Sequence, residues 1–425
     1  MSHPLLAELR WRGMLHQHTD GLSDALSRGM VSGYVGFDPT AASLHVGNLV
    51  PVMGLVHLQR HGHRPVFLAG GGTGMIGDPS GKTTERQLLS MEEIAENTAR
   101  IRTQLEHFVD PKGTNGALVR NNADWLAPLK AIEFMRDVGK HFTVSYMMQK
   151  ESVKARMEIG LSYTEFSYML LQAYDYLQLF RRDGVTLQLG GSDQWGNITA
   201  GIELIRRTDG GDAEALTFPL ITTASGTKFG KTEAGAVWLD PERTSPYRFY
   251  QFWMNTDDRD VGQMLRFFTL LDRETIEGLD RATTERPQDR EAQRTLARDV
   301  TERLHGAGAR QAAEEVSLLL FGKGDPRSLS AAALTQLENE IPTFVVTKDG
   351  SIDSFDLIEA VTAGKDALFK SKSEARRAME QGGLYLNGER LGVARVTIPR
   401  EQFLHGAYLL MRKGARSYGL VRVSN

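Results

Sequence analysis

The chain contains 425 residues, 41% of them hydrophobic, with 50 Lys and Arg against 53 Asp and Glu and a formal net charge of −3. A chain of this length can bury one large core and one or two smaller ones, so we expect two or three domains. The absence of cysteine excludes disulfide bonds, thiolate metal sites and thiol nucleophiles, which leaves oxygen and nitrogen chemistry.

The amino-terminal segment, residues 1–12, carries Glu8 and Arg10 among its apolar residues. These charges interrupt the apolar run that a signal peptide requires, and no later segment has the long apolar run of a membrane span. We therefore expect a cytoplasmic protein that does not interact with membranes.

The first half of the chain alternates short apolar strands with amphipathic helices. The predicted strands are 33–37, 65–69, 117–120 and 185–189, and the helices between them include 49–58 and 91–108. This alternation predicts a parallel sheet covered by helices, that is, a Rossmann-like α/β catalytic domain over residues 1–220. Sheets of this kind bind ligands at the carboxyl ends of their strands.

A first candidate site lies where strand 33–37 gives way to the helix that starts at Leu49. Asp38-Pro39-Thr40 stops the strand, and His45-Val46-Gly47-Asn48 precedes the helix. Free N–H groups at a helix start can hold a phosphate, which would place His45 beside the anion. Taken alone, a histidine at this position is more often a cap or a surface residue, so the interpretation depends on other motifs.

A glycine-rich segment over residues 70–83 invites comparison with a phosphate-binding loop of the Walker type. The spacing does not fit, because Ile76 stands where that loop needs a glycine. Asp78 and Lys82 remain candidates for the same pocket. His57, His61 and His63 have no carboxylate at ligand spacing, so we predict surface histidines and no metal site.

Three hydrogen-bonding side chains share one face of the predicted helix 166–175. Tyr168, Gln172 and Asp175 recur at i, i+4 and i+7, and the helix around them is rich in Met, Leu and Ala. A solvent face would usually carry Lys and Glu, so this stripe predicts one wall of a small polar pocket. The loop 190–194, which follows strand 185–189, would emerge at the same edge of the sheet.

A third motif is Lys228-Phe229-Gly230-Lys231-Thr232, preceded by small residues. Two lysines separated by a glycine can both turn toward one polyphosphate, and a mobile loop over 221–244 could deliver them when the ligand binds. An exposed basic turn is the simpler interpretation if the motif is taken alone.

The second half of the chain divides by composition. Residues 245–325 lack strand signals and predict a helical domain, and breakers over 326–350 predict an irregular linker. Residues 351–425 predict two short helices followed by a hairpin near Asn387-Gly388. Residues 365–425 carry twelve Lys and Arg against five Asp and Glu, which favours a polyanionic partner such as nucleic acid, although a solvated surface could show the same excess.

The motifs together resemble those of a known family. His45-Val46-Gly47-Asn48 resembles the His-Ile-Gly-His signature of class I aminoacyl-tRNA synthetases, with Asn48 in place of the second histidine, and 228–232 resembles their Lys-Met-Ser-Lys-Ser loop. Tyr34, the Asp38 turn, 77–81, the Tyr168 helix and 190–197 resemble the bacterial tyrosyl-tRNA synthetases in particular. The likeness covers nearly the whole chain, because residues 355–423 resemble a small RNA-binding module shared with a ribosomal protein.

The resemblance implies activation of L-tyrosine with ATP to tyrosyl-adenylate and pyrophosphate, then transfer of tyrosine to the 3′ end of tRNA(Tyr). The family's catalytic residues, which act at the α-phosphate and the departing pyrophosphate, correspond to His45, Asn48, Lys82, Arg86, Lys228, Lys231 and Thr232. Its tyrosine-binding residues correspond to Tyr34 and Asp175 for the phenol and to Asp78, Tyr168 and Gln172 for the ammonium group. Gln194 corresponds to a further tyrosine-binding residue. Its ATP- and adenylate-binding residues correspond to Gly36, Asp38, Thr40, Gly47, Gly191, Asp193 and again Lys231. ATP is implied as a substrate with Mg²⁺, and no protein metal site is implied.

The resemblance also implies partners. The family is a homodimer with a helical interface insertion, here near residues 125–170, and its helical domain, here 245–325, binds the anticodon arm. The carboxyl-terminal domain, 351–425, would bind tRNA through basic residues, with Lys370, Lys372, Arg376, Arg377, Arg412 and Lys413 as candidates.

Two other interpretations are open at this point. A tryptophanyl-tRNA synthetase would share the sheet and both motifs, but Tyr34 and Asp175 argue against it because an indole has one donor and no hydroxyl. A non-catalytic RNA-binding protein could keep the synthetase scaffold, which the presence of His45, Lys228 and Lys231 makes less favoured.

Overall fold

The structure is a computed structural model that describes residues 3–78, 80, 89–150, 153–154, 157, 160–226, 229–232, 235–347, 351–363, 367–392, 396–415 and 417–424. It divides into two compact units. The first comprises Met1–Asp240 with Thr256–Ala292, and the second comprises Pro241–Asn255 with Gln293–Asn425.

Helices and strands alternate through most of the first unit, and helices precede a sheet in the second. The helices are α1 Pro4–Trp11, α2 Leu22–Arg28, α3 Leu49–Arg60, α4 Met91–Glu106, α5 Ala123–Leu126, α6 Ala131–Asp137, α7 Val144–Met148, α8 Tyr163–Asp183, α9 Trp195–Asp209, α10 Pro246–Met254, α11 Asp258–Phe268, α12 Arg273–Glu285, α13 Glu291–Leu320, α14 Ala331–Glu338, α15 Ser354–Val361 and α16 Lys372–Glu380. The strands are β1 Gln17–His18, β2 Ser32–Phe37, β3 Arg64–Ala69, β4 Leu118–Asn121, β5 Val185–Gly191, β6 Glu214–Phe218, β7 Lys231–Thr232, β8 Gly235–Ala236, β9 Thr343–Thr347, β10 Ile352–Asp353, β11 Leu384–Leu386, β12 Glu389–Arg390, β13 Thr397–Ile398, β14 Tyr408–Lys413 and β15 Ser417–Ser424.

A six-stranded sheet forms the centre of the first unit, in the order β1-β6-β5-β2-β3-β4. Strands β2 to β6 pair in parallel, which confirms the predicted parallel sheet. Its central strands read as continuous apolar runs because both faces are covered, and Tyr34, Val66 and Phe67 are at most 1% exposed. The antiparallel edge strand β1 was not predicted, because two residues are too few for a hydrophobic pattern.

The 21-residue helix α8 carries the predicted polar stripe. Ser162 caps its start by accepting a hydrogen bond from the Glu165 N–H, and Gly184 ends it in the left-handed conformation with φ 62°. Tyr168 and Asp175 are buried on the face that meets the sheet. Gln172, between them on the helix, is half-buried, so the stripe is largely removed from solvent.

Helices predominate between residues 246 and 320, as predicted, but they do not all belong to one unit: α11 and α12 lie in the first unit and α10 in the second. The two helices predicted over 290–304 and 311–321 are confirmed: they are the two parts of α13, which the non-helical Gly306 separates. The segment predicted as an irregular linker, 326–350, contains α14 and β9. The domain limits drawn from composition stay a prediction.

The carboxyl-terminal sheet has five strands in the order β12-β11-β14-β15-β9. The predicted hairpin is confirmed: β11 and β12 pair antiparallel around Asn387 and Gly388, whose positive φ values of 46° and 90° suit a tight hairpin turn. One face packs on α15 and α16 around Phe369 and Leu409, and the other packs on α13 and α14 around Leu334 and Leu420.

Candidate active site

A cavity of about 460 Å³ opens at the carboxyl ends of the parallel strands of the first unit. Fourteen of the predicted site residues line it: Tyr34, Gly36, Asp38, Thr40, His45, Gly47, Asn48, Asp78, Tyr168, Gln172, Asp175, Gly191, Asp193 and Gln194. They come from segments far apart in the sequence, so the parallel strands bring these motifs to one place, as expected for this type of sheet.

Asp175 lines the cavity and is only 2% exposed. Trp125 Nε1 donates to its Oδ1 at 2.7 Å, and Asn122 Nδ2 donates to its Oδ2 at 2.9 Å. Burial raises the pKa of the Asp175 carboxyl to about 7, against the opposing effect of these two hydrogen bonds. The group is therefore a buried acceptor that changes charge close to neutral pH.

Tyr34 lies beside Asp175 with its hydroxyl buried. Burial raises the pKa of the Tyr34 phenol well above its usual value, with Asp175 adding to the effect. Among the described residues, the Tyr34 hydroxyl has no hydrogen-bond partner. A buried hydroxyl without a partner is costly, so this end of the cavity is suited to a ligand that supplies a polar atom.

Asp38 connects the outer part of the cavity to Asp175 through a chain of hydrogen bonds. Tyr168 Oη donates to Asp38 Oδ2 at 3.1 Å, and Thr73 Oγ1 donates to Asp38 Oδ1 at 2.9 Å. Asn122 Nδ2 then donates to Thr73 Oγ1 at 2.9 Å. Gly70 leaves room for this chain, since a Cβ there would lie 2.4 Å from Asp38 Oδ1.

A second group of amides and carboxylates lines the side of the cavity formed by α8 and the β5–α9 loop. Gln172 Nε2 donates to Gln194 Oε1 at 3.3 Å, and Gln194 Nε2 donates to Asp78 Oδ2 at 2.7 Å. Asn197 Nδ2 donates to Gln172 Oε1 at 3.1 Å. Together with Asp38, these groups present acceptors that suit a positively charged ligand group.

The His45 motif forms a short 3₁₀ turn, Val46–Asn48, that leads into α3. His45 Nδ1 accepts a hydrogen bond from the Gly47 N–H at 3.0 Å, and Asn48 Oδ1 accepts one from the His45 N–H at 3.0 Å. The motif is therefore a capping box in which His45 also lines the cavity. Because Nδ1 is an acceptor, the proton of the neutral imidazole lies on Nε2, where it can be donated.

The segment that follows the lysine motif pairs with the His45 motif through backbone hydrogen bonds. The Val46 N–H donates to Val237 O at 2.9 Å, and the Leu239 N–H donates to Leu44 O at 2.8 Å. The rings of His45 and Trp238 lie 6.2 Å apart, edge to face. Although about 180 residues separate the two motifs in sequence, the fold makes them neighbours.

The structure describes only some of the cationic residues predicted to bind phosphate. Lys231 and Thr232 form β7, which pairs with β8. Lys82, Arg86 and Lys228 lie outside the described residues. Their roles stay predictions.

Four polar residues of the site were not singled out from the sequence: Thr73, Asn122, Trp125 and Gln188. Gln188 pairs with Tyr34 across β5 and β2 and lines the cavity, with its Oε1 buried and without a partner among the described residues. A glutamine within the apolar run 185–189 was the available signal for this position. The sequence around Asn122 and Trp125 gave no sign that they belong to the site. Their role comes from the hydrogen bonds that they donate to Asp175, about 50 residues later in the chain.

Basic and aromatic residues cluster on the carboxyl-terminal sheet. Arg412 and Arg390 are both register neighbours of Tyr385, and the Arg412 guanidinium carbon lies 3.9 Å from the Tyr385 ring centroid. Lys370, Arg376 and Arg377 are exposed. Two of the six predicted tRNA contacts make internal ion pairs, Lys372 with Glu359 at 2.5 Å and Lys413 with Glu374 at 2.7 Å.

Neither a metal cluster nor a membrane helix is found in the described part of the chain. No group of three or more His, Asp or Glu side chains there could hold a metal ion. No helix among those residues is long and apolar enough to cross a membrane. His57 and His63 are instead buried, and His63 Nδ1 accepts from the Val31 N–H at 3.2 Å. The surface position predicted for these two histidines was therefore wrong.

Comparison with known proteins agrees with this geometry. A family model described as tRNA synthetases class I (W and Y) matches residues 27–322. The chain therefore belongs to the class I tRNA synthetases that include the tryptophan and tyrosine enzymes. A second model, described as the tyrosine–tRNA ligase SYY-like C-terminal domain, matches residues 333–421, and it places the chain among the tyrosine–tRNA ligases.

Individual relatives support the narrower assignment. A tyrosine–tRNA ligase of Anaeromyxobacter dehalogenans is 54% identical over 421 residues, which is 99% of each chain. A truncated mitochondrial tyrosyl-tRNA synthetase of Aspergillus nidulans superposes with a TM-score of 0.67 at 30% identity, over 75% of this chain and 94% of that one. A tryptophanyl-tRNA synthetase of Encephalitozoon cuniculi, with a TM-score of 0.52 and 12% identity over 72% of this chain and 87% of that one, shows a shared fold alone.

Proposed function

We propose that this chain activates L-tyrosine with ATP in the cavity at the strand ends and then transfers the tyrosyl group to the 3′ end of tRNA(Tyr). One observation carries the proposal. The buried hydroxyl pocket of Tyr34 and Asp175 and the His45 motif line the same cavity, so an amino acid with a phenol and a nucleotide phosphate can be held together.

In the first step, a carboxylate oxygen of tyrosine attacks the α-phosphorus of ATP, and the bond between that phosphorus and the departing pyrophosphate breaks. The attacking carboxylate is already ionised, so the protein does not need to supply a nucleophile or a general base. Its contribution is to align the two substrates and to place hydrogen-bond donors where negative charge increases at phosphorus. The Nε2–H of His45, whose Nδ1 is the acceptor in the turn, provides such a donor.

In this proposal, the substrate phenol donates to Asp175 and accepts from the Tyr34 hydroxyl. The α-ammonium group of the substrate lies among Asp78, Tyr168, Gln172 and Gln194. Two facts support these roles: the Tyr34 hydroxyl lacks a partner among the described residues, and the other side of the cavity is rich in acceptors.

The nucleotide side of the proposal uses residues that line the cavity near the His45 motif. Gly36, Gly47 and Gly191 allow close approach of the nucleotide, and Asp38, Thr40 and Asp193 contact ribose or the adenylate. Lys82, Arg86, Lys228, Lys231 and Thr232 are proposed to bind the pyrophosphate. Mg²⁺ enters the proposal as part of the ATP substrate, bound by its phosphates.

Amino-acid-dependent exchange of pyrophosphate into ATP, measured with each of the twenty amino acids, tests the proposed activity. We expect a strong signal with tyrosine alone, because only a phenol satisfies both Tyr34 and Asp175. A stronger signal with tryptophan would assign the pocket to the other branch of the family. No exchange with any amino acid would favour a non-catalytic RNA-binding protein.

We further propose that the carboxyl-terminal region, residues 351–425, binds tRNA mainly through the phosphates of the tRNA, with the exposed Arg376 and Arg377 of α16 among the residues that pair with them. Replacing both with glutamate should weaken tRNA(Tyr) binding. It should also make the decrease of the log binding constant with log salt concentration less steep, by about 0.7 for each phosphate that the variant no longer neutralises. Tyrosine activation should be unchanged. Glu380→Gln, on the same helix, is the matched control and should not weaken binding; an unchanged salt slope in the double variant would contradict the proposal.

We also propose that the chain is a cytoplasmic homodimer that associates through residues 132–163. Of the thirteen large apolar side chains that are exposed among the described residues, six lie in this stretch, and Ile132 and Tyr163 are 76% and 73% exposed. Ile132→Glu should convert the dimer to monomer in sedimentation velocity, whereas Met91→Glu, at a residue 58% exposed outside the stretch, should not. A monomeric wild-type chain would contradict the proposal.

A further inference from the structure

Asp260, in the first turn of α11, is a buried carboxylate directed at a segment of the cavity wall. It is 8% exposed, and both of its carboxylate oxygens accept from the Ala224 N–H at 3.0 Å. These are the hydrogen bonds that its side chain makes among the described residues. A buried carboxylate with so few donors costs stability, so its role is not explained by stability alone.

The segment that Asp260 holds continues into the wall of the cavity. Ile221, three residues before Ala224, lines the cavity, and its carbonyl accepts from the Phe229 N–H at 3.1 Å. Phe229 also lines the cavity and stacks on Phe268, the last residue of α11, with ring centroids 5.2 Å apart and an interplanar angle of 18°. The two ends of α11 therefore contact Ala224, which precedes the lysine motif, and Phe229, which belongs to it.

Phe229 and Gly230 in turn contact the His45 motif. A Cβ placed on Gly47 would lie 3.6 Å from the Phe229 carbonyl oxygen, and one placed on Gly230, whose φ is 86°, would lie 3.0 Å from the Gly47 nitrogen. The Gly230 carbonyl also accepts from the Val237 N–H at 3.3 Å. A displacement of Ala224 or Phe229 would consequently reach the backbone of the His45 motif, whose imidazole is proposed to donate to phosphate.

The helix α11 is itself firmly held at its carboxyl end. The Arg12 guanidinium, 3% exposed, donates to the carbonyls of Arg266 and Thr269 at 2.9 Å and of Leu271 at 2.7 Å. Between its two anchor residues, α11 buries Val261, Leu265 and Phe267 almost completely. It is therefore a rigid support to which a wall segment can be fixed.

We propose that Asp260 is a positioning residue for adenylyl transfer to tyrosine: through Ala224, Ile221 and Phe229 it holds the wall of the cavity against the His45 motif. The inference rests on the proposed function, since it concerns the step that forms tyrosyl-adenylate. It assigns no contact between Asp260 and the substrates, so substrate affinity should not depend on it.

The test compares Asp260→Ala with Asp260→Asn and with Asp258→Ala. Asp258→Ala removes an acidic side chain from the same first turn, so it controls for the loss of a favourable charge near the helix start. Asn keeps an oxygen that can accept from Ala224. We expect Asp260→Ala to slow single-turnover tyrosyl-adenylate formation about tenfold or more, with the tyrosine Kd unchanged, and Asp260→Asn to recover most of the rate.

Amide hydrogen exchange in a peptide covering 219–226 supplies a second readout that does not depend on activity. It should become faster in Asp260→Ala and stay unchanged in Asp258→Ala. Unchanged exchange in Asp260→Ala would overturn the positioning role whatever the wild-type chain catalyses. Faster exchange with a wild-type rate of adenylate formation, or a parallel loss of tyrosine affinity, would also overturn it. An inactive wild-type chain would instead refute the proposed function.

Discussion

Asp175→Ala is expected to abolish tyrosine-dependent pyrophosphate exchange. The substitution removes the acceptor proposed for the substrate phenol and leaves the Trp125 and Asn122 donors, at 2.7 and 2.9 Å, without partners in a buried pocket. Tyrosyl-tRNA synthetases are themselves the reference case for this kind of selection, with phenylalanine rejected by about 10⁵. The expected loss is therefore among the largest that a single substitution can cause here.

Asp175→Asn should not rescue the activity. Both neighbours of Asp175 are donors, and an amide can present an oxygen to only one of them while its NH₂ group faces the other. Asp183→Ala, at the end of the same helix, removes a carboxylate that pairs with Arg120 at 2.6 Å outside the cavity and should leave exchange intact. Exchange at wild-type level in Asp175→Ala would refute the proposed tyrosine site.

The Asp175 carboxyl should also determine how the activity of the wild-type chain depends on pH. The pKa of Asp175 is raised to about 7 by burial, so the carboxyl takes up a proton as the pH falls through 7. One of its two oxygens then becomes a donor, and the group is a weaker acceptor for the substrate phenol. We expect kcat/KM for tyrosine to fall below that pH. For stability the sign is opposite: the folded state binds this proton more tightly than the unfolded state, so the contribution of Asp175 to stability decreases as the pH rises from about 4 to about 7.

His45→Ala is expected to lower kcat for tyrosyl-adenylate formation by about 10² to 10³ with little change in KM for ATP. The reason is that the Nε2–H donor acts on charge that increases at phosphorus in the transition state. Single-turnover kinetics with saturating ATP and tyrosine measure the effect. A large rise in KM alone would instead indicate an interaction made already in the ground state.

Capping must be separated from catalysis at this position, because His45 Nδ1 also accepts from the Gly47 N–H. His45→Asn supplies a good cap, so it should recover the stability that His45→Ala loses, about 1 kcal/mol, without recovering the rate. Asn48→Asp provides the complementary test: it keeps the oxygen that accepts from the His45 N–H but places a negative charge near the phosphate. It should fold normally and activate tyrosine poorly, whereas Asn48→His should remain active.

The main elements of the fold could be predicted from the sequence where a pattern was long enough. Continuous apolar runs predicted strands 33–37 and 185–189, which are β2 and β5 in the structure. Helical spacing predicted the helix through Tyr168, which is α8. The prediction that residues 326–350 have no regular structure was wrong, since they contain a helix and a strand. Glycine and proline mark where elements end, but they do not exclude short elements between them. There α14 and β9 form because the carboxyl-terminal sheet and α13 offer apolar surfaces to pack on.

The sequence by itself determined which chemical groups this protein has and the order in which they occur: the His45 motif, the polar stripe of α8 and the lysine motif, at spacings that local helix and strand rules can explain. Only the tertiary structure decided which of them meet, that Asn122 and Trp125 hold Asp175, and that Trp238 pairs with His45. The physical reason is that periodicity depends on neighbours within a few residues, whereas hydrogen-bond partners and the dielectric around a carboxylate depend on segments brought together by the sheet.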